Sequence, residues 1–187
     1  RSKSQLALSR DRSPAEYRDA LAACERASER MGNIVESLLE LARIDSGEME
    51  PASQTFDLEP VLHEAVESVQ PLADEAQIKL AVAHSKEHVY GVPVWTQQVI
   101  TNLLVNAVRY SPNTERVEMK IERRADWVKL HVSDQGPGIP ESDLAHIFER
   151  FFRVDKARSR HDGGSGLGLS ICRSLMEAQE GTIEAVS

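Results

Sequence analysis

Cysteine is nearly missing from this sequence: the two present, Cys24 and Cys172, stand far apart in helical patterns. Neither has metal-ligand spacing or the companions of a secreted disulfide framework, which points to a reducing compartment. No apolar run approaches the roughly 20 residues that cross a bilayer, and no leader peptide is visible. The expectation is a chain soluble as it stands, compatible with a membrane-anchored parent. Positive charge is in deficit, with 22 Lys and Arg against 30 Asp and Glu and a net charge of -8. A general nucleic-acid surface is thereby disfavoured, and no nucleic-acid partner is expected. What remains is ordinary for a globular protein: 41% hydrophobic and 28% charged residues over 187 positions, enough for a real core.

Arg1 to Arg10 reads as helix, and Ser13-Pro14-Ala15-Glu16 then combines an N-cap Ser, Pro at the first helical position and Glu three after the cap. Tyr17, Leu21, Cys24, Ser28, Met31, Val35, Leu38 and Ala42 follow at spacings of four and three, a heptad-like seam on one long helix. Such a seam calls for a partner from the first helix or from another subunit. Asp45-Ser46-Gly47 ends the helix, and residues 48–54 read as a linker, which puts a domain boundary near residue 50. Beyond it, the pattern predicts a helix with Leu58, Leu62, Ala65, Val69 and Leu72 on one face. Strands follow at 78–82 and 89–91, then a helix from Val94 to Arg109 closed by Pro112. Val117, Met119 and Ile121 alternate, as do Val128, Leu130 and Val132, a hairpin turning at Ala125-Asp126. A short helix over 141–147, a longer one over 167–179 and a strand over 182–186 complete the chain. The sum is an α+β sandwich with helices on one face of a mainly antiparallel sheet.

Four stretches carry the chemistry. Asp134-Gln135-Gly136-Pro137-Gly138-Ile139-Pro140 follows directly on the last hairpin strand, so it is either a stiff turn with an Asp at its mouth or a loop shaped for a ligand. In the helix before the hairpin, Asn102 and Asn106 are four apart, with Arg109 and Tyr110 on the same face. A carboxamide oxygen suits Mg²⁺ that keeps waters and phosphate oxygens, although two Asn at this spacing also suit a solvated face. Gly163-Gly164-Ser165-Gly166-Leu167-Gly168 runs straight into a helix, where free amides and the helix dipole favour phosphate; a hinge is the alternative. It lacks the Lys-Ser/Thr of a Walker loop and the preceding strand of a dinucleotide fingerprint. Between the glycine loops, residues 148–161 include Arg150, Arg153, Lys156, Arg158 and Arg160, either a lid over a polyphosphate or a solvated charged loop.

Together Asn102 to Ser111, Asp134 to Gly138, Phe148 to Phe152 and Gly164 to Leu169 resemble, in order, the N, G1, F and G2 boxes of sensor histidine kinases. The resemblance implies a Bergerat-type ATP-binding domain, shared with type II topoisomerases, the mismatch-repair protein MutL and a heat-shock chaperone. The Phe box and the heptad helix favour the kinase branch. Residues 51–187 would then be the catalytic domain, and 1–50 a truncated dimerisation and phosphotransfer hairpin. Carried over by position, Asp134 would accept from the adenine amino group, with Gly136 and Gly138 admitting the base. Asn106 would ligate Mg²⁺, Asn102 would support the phosphate and metal region, and Arg109 and Tyr110 would contact phosphates or ribose. Gly164, Gly166, Leu167 and Gly168 would shape the phosphate-facing hinge, and Arg150 and Arg153 would reach the γ-phosphate or the hairpin.

The implied reaction moves the γ-phosphoryl group of Mg-ATP to a histidine and then to the aspartate of a response-regulator receiver domain. The parent would be a homodimeric sensor in an inner membrane, with this region cytoplasmic. One departure stands out: none of His63, His84, His88, His131, His146 and His161 lies in a His-Glu-Leu-Arg-Thr-Pro-like context. The acceptor is therefore expected upstream of Arg1, with the fragment unable to phosphorylate itself and its dimer weakened. A last strand is also expected beyond Ser187. A regulatory module that docks a receiver domain through its helices is the rival reading.

Overall fold

The computed structural model describes residues 13–47, 52–111, 116–154 and 165–187. The readings placed on Arg1 to Arg10, on Pro112 and on the basic stretch 155–161 lie outside the described residues. Helix α1, Pro14–Asp45, opens with the expected capping box: the Glu16 amide donates to Ser13 Oγ and the Ser13 amide to Glu16 Oε2. Gly47, at φ +68°, follows its end.

Strand β1, Gln54–Asp57, takes the last residue assigned above to the linker and pairs antiparallel with β3, His88–Gly91. Between them lie α2, Leu58–Glu75, capped by the Asp57 carboxylate, and β2, Lys79–Val82. Helix α3, Pro93–Tyr110, leads to the hairpin of β4, Arg116–Arg124, and β5, Trp127–Ser133, turning where the sequence places it. A short α4, Glu141–Leu144, stops three residues before the expected Ile147, and α5, Gly168–Ala178, follows.

The sheet differs from expectation in two ways. There are two sheets among the described residues, β1-β3 and β2-β4-β5, and β2 runs parallel to β4. The α3 helix, which lies between β2 and β4 in the chain, carries it back across the sheet, which is what a parallel neighbour requires. Residues 182–186 form no ladder. They alternate half-buried and exposed as a strand would, yet they are held beside the free edge of β5 by side chains: Lys129 pairs with Glu184, and the Ile139 amide donates to Ser187 Oγ at 2.7 Å. Period-2 burial was legible in the sequence; backbone pairing, a separate requirement, is not met.

One core lies between the sheet and α2 and α3, centred on Leu62, Ala65, Val69, Leu104, Val117 and Met119. A second joins α1 to α3 and α5: Leu41, 1% exposed, packs with Trp95, Val99, Leu167, Ile171, Cys172 and Leu175. Gln98 Nε2 donates to Glu40 Oε1 at 2.7 Å on its rim. The heptad seam of α1 is largely uncovered in this chain: Leu21, Met31 and Val35 of the seam, and Leu39 beside it, stay more than half exposed, and the residue that is covered, Leu41, lies beside the seam.

The end of α5 carries a mismatch. The Gly181 amide donates to Met176 O at 2.7 Å and the Glu180 amide to Glu177 O, the paired bonds of a Schellman cap. The residue in the left-handed position is Glu180, φ +60°, where glycine belongs. Glu180→Gly is expected to stabilise the fold by roughly 0.5–1 kcal/mol, the relief of the Cβ clash less the added freedom of the unfolded chain. A thermal melt would show a rise of about 2–4 °C per kcal/mol, and an unchanged or lower midpoint would contradict it.

Candidate functional site

The Asp134 loop is fixed by its neighbours. Asp134 follows β5 and is exposed, and its Oδ1 accepts the Gly136 amide at 2.8 Å, an Asx turn that aims the carboxylate along the loop. A carbon added at Gly136 would stand 2.4 Å from Tyr110 O and 2.8 Å from Asp134 Oδ1. Glycine is required there because the loop presses its backbone on the last residue of α3. The sequence reading gave Gly136 the task of admitting a base; the contact the structure displays is this one. Gly138 takes φ +73° one residue before the Ile139 bond to Ser187.

The Gly136 contact brings the Asp134 loop against the C-terminal end of α3, the helix that carries Asn102, Asn106, Arg109 and Tyr110. Both carboxamides are half-buried, and Arg109 and Tyr110 are exposed. The Cys172 thiol, one helix away, donates to Val99 O at 3.9 Å, and burial pushes its pKa up to about 12. Asn106 makes no hydrogen bond among the described residues, so its oxygen is available. From the other side comes the start of α5: a carbon added at Gly168 would lie 3.9 Å from Asn102 Oδ1. The amide of Leu167 donates to Ser165 Oγ at 3.2 Å, and its side chain is fully buried in the second core. Leu167 can therefore face a ligand only through its backbone, a narrower part than the sequence reading allowed.

Gly164 lies outside the described residues. Gly166, at φ +72°, accepts the Phe151 amide at 2.9 Å, and an added carbon would meet the Phe151 backbone at 3.0 Å. Phe151 itself has φ +64° and is 54% exposed, a conformation costly for an aromatic residue. The Phe box and the second glycine loop, separated in sequence by residues 153–163, are thus joined through Phe151 and Gly166. Next to this junction the His146 ring bonds Glu149 at 2.7 Å, which raises its pKa, and lies 5.7 Å from the Phe152 ring. Arg150 is exposed and Arg153 half-buried.

Helix α3, which carries Asn102, Asn106, Arg109 and Tyr110, thus meets the Asp134 loop at Tyr110 and the α5 N-terminus at Asn102. A cleft of about 490 Å³ beside Gln70 and Lys79, and another of about 290 Å³ between Phe148 and Arg173, lie away from it. Sequence reasoning missed Gln179, whose carboxamide reaches the start of α3, because a bond across 87 residues leaves no local signal.

Residues 91–187 match the family model described as histidine kinase-, DNA gyrase B- and HSP90-like ATPase. The sensor-like histidine kinase SenX3 of Mycobacterium tuberculosis is 38% identical over 84% of this chain and 39% of its own length. The sensor protein IrlS of Burkholderia pseudomallei is 34% identical over 95% of this chain and 38% of its own. This chain therefore spans about two fifths of those relatives. Among solved structures, the histidine kinase AdeS of Acinetobacter baumannii superposes with a TM-score of 0.70 at 23% identity, covering 99% of this chain and 85% of that one. Full-length ShkA in complex with AMPPNP gives 0.70 at 25% identity, over 90% of this chain and 35% of that one. No helix of the described residues is long and apolar enough to cross a membrane. The chain belongs to the histidine kinase-, DNA gyrase B- and HSP90-like ATPase family, and its likeness within that family is to the catalytic core of sensor histidine kinases.

Proposed function

We propose that this chain binds Mg-ATP on the open face of α3 and presents the γ-phosphoryl group to a histidine that is not one of its own six. The observation that supports this most is that two loops meet the one helix that carries Asn106: the Asp134 loop, suited to a base, at Tyr110, and the α5 N-terminus, suited to phosphate, at Asn102. Asp134 accepts from the adenine amino group. Arg109 and Tyr110 contact phosphates or ribose, Arg150 and Arg153 serve the γ-phosphate or the hairpin, and the amides about Gly164, Gly166 and Gly168 meet the phosphates at the positive end of α5.

The residues fit magnesium of one kind. No cluster of three His, Cys, Asp or Glu exists among the described residues, so a resident ion has no cage. One uncommitted, half-buried carboxamide oxygen suits an ion that arrives with its own phosphates and waters. Bound there, magnesium would neutralise phosphate charge in transfer. Asn106 holds its place, and Asn102, which faces Gly168 at the start of α5, supports the phosphate and metal region. The phosphoryl group then passes to a response-regulator aspartate. Residues 1–50 belong to the dimerisation hairpin and 51–187 to the catalytic domain, the region lying on the cytoplasmic side of an inner-membrane sensor. The exposed Leu21, Met31, Val35 and Leu39 on α1 support a homodimer through a helical bundle in the parent.

Asn106→Leu, close in size and lacking the oxygen, separates metal from base. Calorimetry should find that Mg²⁺ tightens ATP binding to the wild type and leaves the variant, roughly tenfold weaker, indifferent to the ion. A folded wild type that fails to bind at millimolar nucleotide, or a variant with full Mg²⁺ dependence, would sink the proposal.

A further inference from the structure

Helix α3 begins without a cap of its own. Its N-cap is Val92, which has no side-chain acceptor, and Pro93 follows. The acceptor arrives from the far end of α5: the Gln179 carboxamide oxygen takes the Val92 amide at 3.1 Å and the Thr96 hydroxyl at 3.4 Å. A carbon added at position 91 would stand 2.6 Å from that oxygen, so Gly91 is what lets Gln179 approach. The Gln179 amide nitrogen lies 3.8 Å from Met176 Sδ. Gln179 is itself the C-cap of α5. A single half-buried amide therefore joins the C-cap of α5 to the first turn of α3.

The same two helices meet again toward the other end, where the Cys172 thiol donates to Val99 O at 3.9 Å and Asn102 faces Gly168. They run antiparallel, and between the two polar contacts the interface is apolar, with Trp95, Val99, Ile171 and Leu175. Apolar burial is non-directional and resists a small slide of one helix along another only weakly. Hydrogen bonds have fixed geometry and resist it. At the start of α3 the directional contact with α5 is Gln179.

We infer that Gln179 is a positioning residue for the nucleotide site: it fixes the register of α3 against α5. That register sets the spacing of Asn102 and Asn106, on α3, from the first amides of α5. Gln179 touches neither nucleotide nor metal and acts through these groups. The inference rests on the proposed nucleotide reading.

The test compares Gln179→Met, similar in size and without the acceptor, with Gln179→Glu, which keeps an acceptor oxygen. Binding of Mg-AMPPNP is measured by calorimetry at a temperature where circular dichroism shows each variant fully folded. Gln179→Met should bind roughly tenfold more weakly, the low end of what loss of an outer support does to a site. In the absence of nucleotide its Asn102 and Asn106 side-chain amide resonances should shift. Gln179→Glu should restore both. A Gln179→Met variant that melts earlier yet binds like the wild type, with those resonances unmoved, would make Gln179 a stabilising cap only and overturn the inference. If Gln179→Met does not fold, Gly91→Ala displaces the same oxygen from the other side and should reproduce the weaker binding; normal binding by Gly91→Ala overturns the inference. Failure of the wild type to bind would sink the nucleotide reading, and the free-state resonances would still decide the register.

Discussion

Asp134→Asn is expected to weaken ATP binding about a hundredfold and to leave the fold intact. The two oxygens of this carboxylate have separate work. Oδ1 holds the Gly136 amide at 2.8 Å, and asparagine keeps an oxygen for that bond. The other oxygen becomes an N–H donor, facing the donor amino group of adenine in the proposed pose. Loss of one charge-assisted bond, worth about 1.5–3 kcal/mol, together with a donor facing a donor, gives the expected magnitude. The exchange also reverses polarity, so a 6-oxo purine such as inosine triphosphate should bind the variant better than ATP does. Calorimetry with both nucleotides, beside a thermal melt, reads the result. Equal ATP affinity in variant and wild type would remove Asp134 from base recognition, and an early melt would assign it to the loop.

Gly136→Ala should be the most damaging of the small substitutions. The added carbon would meet Tyr110 O at 2.4 Å, a backbone atom that no rotamer change can move. Overpacking of this kind costs about 1–3 kcal/mol, a melting point lower by about 2–4 °C for each. Nucleotide affinity should fall as well, because the loop that lifts off Tyr110 takes the Asp134 carboxylate away from α3. Gly32→Ala is the matched control, since its added carbon, in mid-helix α1, meets nothing within 4 Å. Wild-type melting and affinity in Gly136→Ala would mean that the loop does not need this contact.

Much of the arrangement was legible because it is local. The capping box at Ser13 and Glu16, the Ala125-Asp126 turn and the four-residue spacing of Asn102 and Asn106 are each written within one or two turns of chain, and the structure keeps all three. The pairing of β1 with β3 was not legible. Gln54–Asp57 is too short to display an alternation, and its partner begins at His88, beyond a whole helix and strand. Residues 182–186 show the opposite failure, a readable alternation without the backbone pairing that defines a strand. For the site, residue types and order named Asp134 and Asn106. Only coordinates could reveal that Gly136 is packed against Tyr110, that Leu167 turns inward and that Gln179 closes the start of α3, since each depends on contacts between distant parts of the chain.

The burial of Leu41 against α3 and α5 bears on how modular this protein is. A joint placed near residue 50 follows the sequence, yet the second core draws Ile34, Leu41 and Ile44 from one side of that joint and Trp95, Leu167 and Leu175 from the other. A chimera that grafts residues 52–187 onto a foreign helix would inherit a Leu41-shaped vacancy and a Gln98 without Glu40. Transplantable units in this chain are therefore better cut within α1, upstream of Ile34, than at the linker.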